Sequence, residues 1–381
     1  MTSLLDMIDL KGLKLKNRVI MAPLTRSRAD SEGVPQPISQ TYYAQRASAG
    51  LIITEATNIT AKSCAFERAP GIYSAAQVNG WRSITTAVHR VGGAIFVQLW
   101  HCGRVGSDAI LNGQQPLSPS GVNDDLDTLQ VWGLMANGRY ARIAATPSRE
   151  MTTDEIAEAV ADYGRATANA VKAGADGVEV HAANGYLLQQ FMSPTLNLRT
   201  DSYGGSLENR LRLLKEVMEA VCSHIEPSRV GVRISPYALY NNPRDPDPDR
   251  TASAVARLLD SFNIAYLHLA DTNAWAGEPD LPRFVAAVNP YFRGSLIANG
   301  GISPIAGEAL VGGDVIDMVA FGRPFLANPD LPQRISRGGP YNQPRPIGWY
   351  GGTEEGYIDY PTLMPAYVLQ ACSRNRTRLR T

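Results

Sequence analysis

The sequence predicts an α/β protein: a single (β/α)8 TIM barrel with a long insertion between strand 3 and helix 3. Three observations carry this. Eight short apolar, β-branched runs recur along the 381 residues. Most are followed by a segment with helical spacing, and a strand–helix alternation makes the strands parallel. The first run ends in Met21-Ala22-Pro23-Leu24-Thr25. An open dinucleotide-binding sheet would carry a G-x-G-x-x-G turn there, and it usually has fewer strands.

The runs are 19–22, 51–56, 94–100, 177–181, 230–234, 264–270, 295–298 and 315–321. Each is short enough for a strand and is bounded by Gly, Pro or charged residues. After the third run the rhythm breaks. Residues 101–150 are rich in Gly, Ser, Pro and Asn, and a structureless loop of that length is uncommon and usually functional. It leaves a strand's C-terminal end, where barrel active sites lie, so it is expected to form a lid; a peripheral insertion packed on the rim is the alternative. The third helix then starts at a capping box, Thr152 with Glu155, and Ile156, Val160, Tyr163, Ala166 and Ala170 repeat at helical steps. Segments 207–222 and 252–262 read similarly. No repeat or linker divides the chain, so residues 1–363 are expected to form one barrel domain, followed by a tail, 364–381.

Lys+Arg and Asp+Glu both number 36, and a neutral chain lacks the positive surplus of a nucleic-acid binder. Cys64, Cys102, Cys222 and Cys372 show no C-x-x-C pair, which fits neither a disulfide framework nor a zinc or iron–sulfur site. No metal is expected, because His89, His101, His224 and His268 offer no paired spacing. There is no signal pattern and no run of about 18 apolar residues, so the expectation is a soluble, cytoplasmic protein with no membrane partner.

Polar residues gather at the predicted C-terminal strand ends: Thr25, Glu55, Gln98, Trp100, His181, Arg233, Asn299-Gly300-Gly301 and Gly322-Arg323. A set spread over most strands is what a site built from βα loops requires. Small residues after strands seven and eight let backbone N–H groups approach an anion, and Arg323 adds a charge, so a phosphate is expected there. The segment Val180-His181-Ala182-Ala183-Asn184-Gly185-Tyr186 is more specific. An imidazole and an amide can donate to one oxygen, with a phenol nearby to give a proton.

These residues resemble the old yellow enzyme family, in particular its bacterial group of pentaerythritol tetranitrate, N-ethylmaleimide and morphinone reductases. The likeness runs from Leu10 to about Leu363. It rests on Asn17-Arg18-Val19, Ala22-Pro23-Leu24-Thr25-Arg26, Tyr42-Tyr43-Ala44-Gln45-Arg46, Val97-Gln98-Leu99-Trp100-His101, the His181 segment, Arg199-Thr200-Asp201-Ser202-Tyr203-Gly204-Gly205, Ala320-Phe321-Gly322-Arg323-Pro324 and Tyr350-Gly351-Gly352.

The resemblance implies non-covalent FMN, a nicotinamide reductant (NADPH or NADH), and reduction of the C=C bond of electron-poor alkenes. Unsaturated carbonyl and nitro compounds are the implied substrates, with nitrate esters a further class. It implies that Pro23, Leu24, Thr25, Ala56, Gln98, His181 and Arg233 line the flavin, and that Gly301, Gly322 and Arg323 hold its phosphate. His181 and Asn184 then grip the substrate oxygen, Tyr186 gives the proton, and Phe66, Trp100 and Tyr350 bound the pocket. Some relatives have a second His at Asn184 and a Tyr at Phe66. The expected oligomer is a monomer or homodimer. The arginines of the tail (Arg374, Arg376, Arg378, Arg380) match nothing in the family pattern. A dienoyl-CoA reductase would need a cysteine cluster this chain lacks. A flavin-free barrel lyase or aldolase acting on a phosphorylated substrate is the alternative from another class.

Overall fold

The computed structural model describes residues 2–241, 245–271 and 280–363; the arginine-bearing tail, 364–381, lies outside them. Eight parallel strands close on themselves: β1 (Val19–Met21), β2 (Leu51–Ile53), β3 (Ile95–Trp100), β4 (Gly177–Ala182), β5 (Val230–Ile234), β6 (Tyr266–Ala270), β7 (Ser295–Asn299) and β8 (Met318–Phe321). Each strand pairs with the next, and β8 returns to β1, so the barrel has no edge. The fifth strand matches the sequence reading, and the others differ from it by one to three residues at an end. The Thr54 N–H still donates to the Phe96 carbonyl, and the second strand ends there because the Glu55 N–H leaves the sheet, donating to the Tyr43 hydroxyl at 3.0 Å.

The crossovers carry α1 (Pro37–Gln45), α2 (Ala75–Arg90), α3 (Thr153–Lys172), α4 (Leu187–Met192), α5 (Leu207–Cys222), α6 (Pro248–Asp260), α7 (Leu281–Val288) and α8 (Pro304–Gly312); α9 (Arg323–Ala327) and α10 (Leu331–Ser336) follow β8. The capping box at Thr152 and Glu155 forms as expected. The helix expected at 252–262 begins earlier, at Pro248, because the Asp247 side chain caps it by accepting the Arg250 N–H.

Alternation along the strands builds two cores. Outward residues such as Val178, Val180, Val232 and Leu267 pack under the helices. Inward residues such as Ile20, Leu51, Ile53, Phe96, Tyr266, Ile297 and Met318 fill the barrel's lower half. A hairpin of Ile8–Leu10 and Leu13–Leu15 plugs the bottom, with Leu10 and Leu15 buried against this inner core. Gly177 and Gly231 make room for it: a Cβ on Gly231 would lie 2.1 Å from the Tyr266 ring, and one on Gly177 2.4 Å from Phe96.

The 101–150 insertion is not structureless. It contains a hairpin, Val131–Leu134 with Tyr140–Ile143, and a strand pair of Leu117–Ser118 with Arg149–Glu150. The hairpin is tied to the β2–α2 loop by a bridge between Phe66 and Trp132.

Candidate active site

The loop leaving β4 is built by its sequence to present three side chains. Asn184 and Gly185 both take left-handed φ angles, 58° and 72°. Asn tolerates that conformation and Gly adopts it freely. A Cβ on Gly185 would lie 2.5 Å from the Asn241 carbonyl oxygen, so glycine is required by space as well. Gln189 and Gln190 then staple the loop. Gln189 Oε1 accepts the Gly185 N–H at 2.8 Å, and Gln190 Nε2 donates to the Gly185 carbonyl at 2.7 Å. Ser235, at the end of β5, accepts the Asn184 N–H at 2.7 Å.

The result fixes the state of His181. Its Nδ1 accepts the Ala183 N–H at 3.3 Å, which leaves the ring proton on Nε2. Burial pushes its pKa well below the ordinary value, and the neighbouring Arg233 and His268 push the same way. His181 is therefore a neutral imidazole with a donor at its outer nitrogen. Tyr186 meets it edge-on, ring centroids 5.1 Å apart, and meets Trp100 the same way at 5.0 Å. Burial pushes the Tyr186 phenol well above its usual pKa, so it keeps its proton at neutral pH.

Aromatic rings from four segments wall the space above. Phe66 lies 6.3 Å from Trp100 and 5.2 Å from Tyr350, and Trp132 of the hairpin lies 5.3 Å from Tyr350. Tyr350 arrives on a segment held by buried arginines. Arg26 donates to the carbonyls of Gly348, Trp349 and Gly356, Arg28 to those of Gly348, Thr353 and Glu355, and Arg46 to that of Tyr357. Glu55 accepts the backbone N–H groups of Arg26 and Ser27, at 2.8 and 3.0 Å. It thus braces the loop that carries Thr25 and is not part of the polar lining.

Below His181 lies a polar layer. Gln98, Glu179, Arg233 and His268 all point into the barrel and are all buried. Gln98 Nε2 donates to Glu179, which leaves its carbonyl oxygen as the free acceptor. Arg233 Nη2 donates to Asn299 Oδ1 at 3.0 Å, while its Nε–H is buried without a partner. A buried unpaired guanidinium N–H asks for a ligand acceptor. The edge of a flavin ring offers carbonyl acceptors and an imide N–H, so these groups fit it.

Pro23, Leu24 and Thr25 are half-buried, and Leu24 packs against Gly322, where a Cβ would lie 3.4 Å from the Leu24 side chain. Ala56 is buried with Trp100 and Tyr186. Gly301 is exposed with φ 65° and open space around it, and Arg323 is exposed at the start of α9. The expected residues thus divide between a wall group (Phe66, Trp100, His181, Tyr186, Tyr350), a polar layer (Gln98, Arg233) and a small-residue rim. Sequence reasoning missed Glu179, His268, Gln189, Gln190 and Trp132. A glutamate inside the apolar run 177–181 was a signal, since a buried carboxylate needs partners.

Solved structures similar to this chain carry the same architecture. A family model described as "NADH:flavin oxidoreductase / NADH oxidase family" matches residues 3–342. The chain is 40% identical over 375 residues to flavin oxidoreductase hxnT of Emericella nidulans, covering 91% of this chain and 94% of that one. It is 40% identical over 354 residues to putative 12-oxophytodienoate reductase 11 of Oryza sativa subsp. japonica, covering 92% and 94%. A solved structure of morphinone reductase in complex with tetrahydroNAD superposes with a TM-score of 0.89 at 42% identity, covering 96% of this chain and 99% of that one.

Proposed function

Because the chain belongs to the old yellow enzyme family of FMN-dependent NADH:flavin oxidoreductases, we propose that it reduces the C=C bond of α,β-unsaturated carbonyl and nitro compounds. The flavin-free lyase or aldolase alternative falls with that membership. When bound, FMN supplies the redox chemistry, taking hydride from a nicotinamide and giving it to the alkene's β carbon. The protein's own residues do the rest.

The observation that carries the reading is the state of His181: neutral, with Nδ1 committed to the Ala183 N–H and Nε2–H left to donate. As hydride arrives, negative charge grows on the substrate's carbonyl or nitro oxygen. The His181 Nε2–H and the Asn184 amide hold that oxygen without needing to reorganise, as an oxyanion hole does. Tyr186, protonated by virtue of its burial, delivers a proton to the carbon on the alkene's other face. Phe66, Trp100 and Tyr350 flank the alkene and keep water out, with the 101–150 insertion as a lid. Gln98, Arg233 and the Pro23-Leu24-Thr25 turn hold the flavin ring, and Gly301, Gly322 and Arg323 hold its phosphate.

Turnover of cyclohexenone, a maleimide, a nitroalkene and a nitrate ester with NADH and NADPH tests this. Enone turnover with at least one nicotinamide is expected. Protein that the nicotinamide reduces but that turns over none of the alkenes would refute it.

A further inference from the structure

Glu179 is fully buried halfway up the barrel, one inward position below His181, and is part of no role assigned so far. Three donors converge on it: Gln98 Nε2 at 2.7 Å, Tyr266 Oη at 3.1 Å and His268 Nδ1 at 2.8 Å. His268 Nε2 lies 2.9 Å from Arg233 Nη1. A guanidinium can only donate, so His268 Nε2 is an acceptor and the ring's proton is on Nδ1, pointing at Glu179. The order is therefore cationic Arg233, neutral His268, anionic Glu179, then Gln98. Burial alone would raise the Glu179 pKa, but the hydrogen bonds from His268 and Gln98 and the Arg233 charge hold the carboxyl below its ordinary value.

This arrangement has two consequences. The carboxylate fixes which way the Gln98 amide faces, and it balances the Arg233 charge through an intervening imidazole. We propose that Glu179 is a positioning residue that, acting through His268 and Gln98, orients both polar contacts of the flavin ring and keeps the reduction potential low. The inference rests on the flavin seat proposed above. With the carboxylate neutralised, Arg233 stands unbalanced and favours the anionic reduced ring.

The test is Glu179→Gln, which keeps the shape, removes the charge and turns one of the two acceptor oxygens into a donor. Reduction potential is measured by equilibration with a reference dye, and FMN affinity by fluorescence quenching on titrating apoprotein. The expected result is a change of about tenfold or more in the reduced-to-oxidised ratio at a fixed potential, toward reduced, which for a two-electron couple is about 30 mV. FMN affinity should fall as the Gln98 amide loses its fixed orientation. Glu179→Asp should return the potential toward wild type. Tyr266→Phe removes a hydrogen bond to the same carboxylate outside the Arg233 relay and should leave the potential unshifted. If Glu179→Gln does not fold, His268→Leu breaks the relay with the carboxylate intact and should move the potential the same way. A flavin-loaded Glu179→Gln or His268→Leu variant with wild-type potential overturns the inference. Wild-type protein that binds no FMN overturns the seat instead.

Discussion

Removing one oxygen from Tyr186 separates proton delivery from everything else the site does. The ring is packed edge-on between His181 and Trp100, at 5.1 and 5.0 Å, so Tyr186→Phe keeps the aromatic contacts that hold the loop. No described residue hydrogen-bonds the hydroxyl, so its loss orphans no buried partner, and stability should change by less than about 1 kcal/mol. General-acid catalysis contributes about 10²- to 10⁴-fold, or roughly 2.7–5.4 kcal/mol of barrier, and a loss of that order is expected for enone reduction. The reductive half-reaction needs no such proton and should run close to wild type. Nitroalkenes, whose product anion is stable, should still accept hydride and be protonated later from water. Stopped-flow spectroscopy of the two half-reactions separates these outcomes. Cyclohexenone reduced by Tyr186→Phe at the wild-type rate would show that another group delivers the proton.

The paired replacement His181→Ala with Asn184→Ala should weaken phenolate binding and its long-wavelength absorption band sharply, since a hydrogen bond to a charged group contributes about 1.5–3 kcal/mol; unchanged affinity would make the pair structural. Thr25→Ala should slow flavin reduction by nicotinamide without slowing reoxidation by alkene, and equal slowing of both would point to a disturbed pocket. Stability should fall on acidification, because His101, His181 and His268 all have pKa values lowered by burial, His101 to about 3. Unfolding lets each take up a proton below about pH 6.5 that the native state refuses, so stabilisation present above that pH is lost as pH falls toward the native values, at about 1.4 kcal/mol per pH unit per histidine. Chemical denaturation at pH 7.5, 6.5 and 5.5 checks this, and a flat profile contradicts it.

The eight strands were legible because a barrel strand is buried on both faces and so reads as an unbroken apolar run. Their ends were less so: the run at 51–56 reads on past Glu55, yet the Glu55 N–H leaves the sheet for the Tyr43 hydroxyl. The His181, Asn184 and Tyr186 trio was legible because three polar types stand close together after one strand. The hairpin in the insertion was not, since Val131-Trp132-Gly133-Leu134 is short and half-polar in its surroundings. Its Asn137-Gly138 pair was a turn signal that went unused. Glu179 and His268 escaped because their partners are far away in sequence: Gln98 is 81 residues from Glu179 and Arg233 is 35 from His268. Only the pairing of adjacent strands makes them neighbours.

The arginine clamp bears on how the chain comes to be folded during synthesis. Arg26 and Arg28 are made early, yet their carbonyl partners on the closing segment lie between residues 348 and 356. Until that stretch leaves the ribosome, these two guanidinium groups destined for the interior lack those partners and stay in water. The first loop, and with it the Thr25 turn, therefore has only its Glu55 brace while most of the polypeptide is being translated. Nascent chains cut short before residue 348 should stall half-built and be prey to proteases, however completely their strands and helices have emerged.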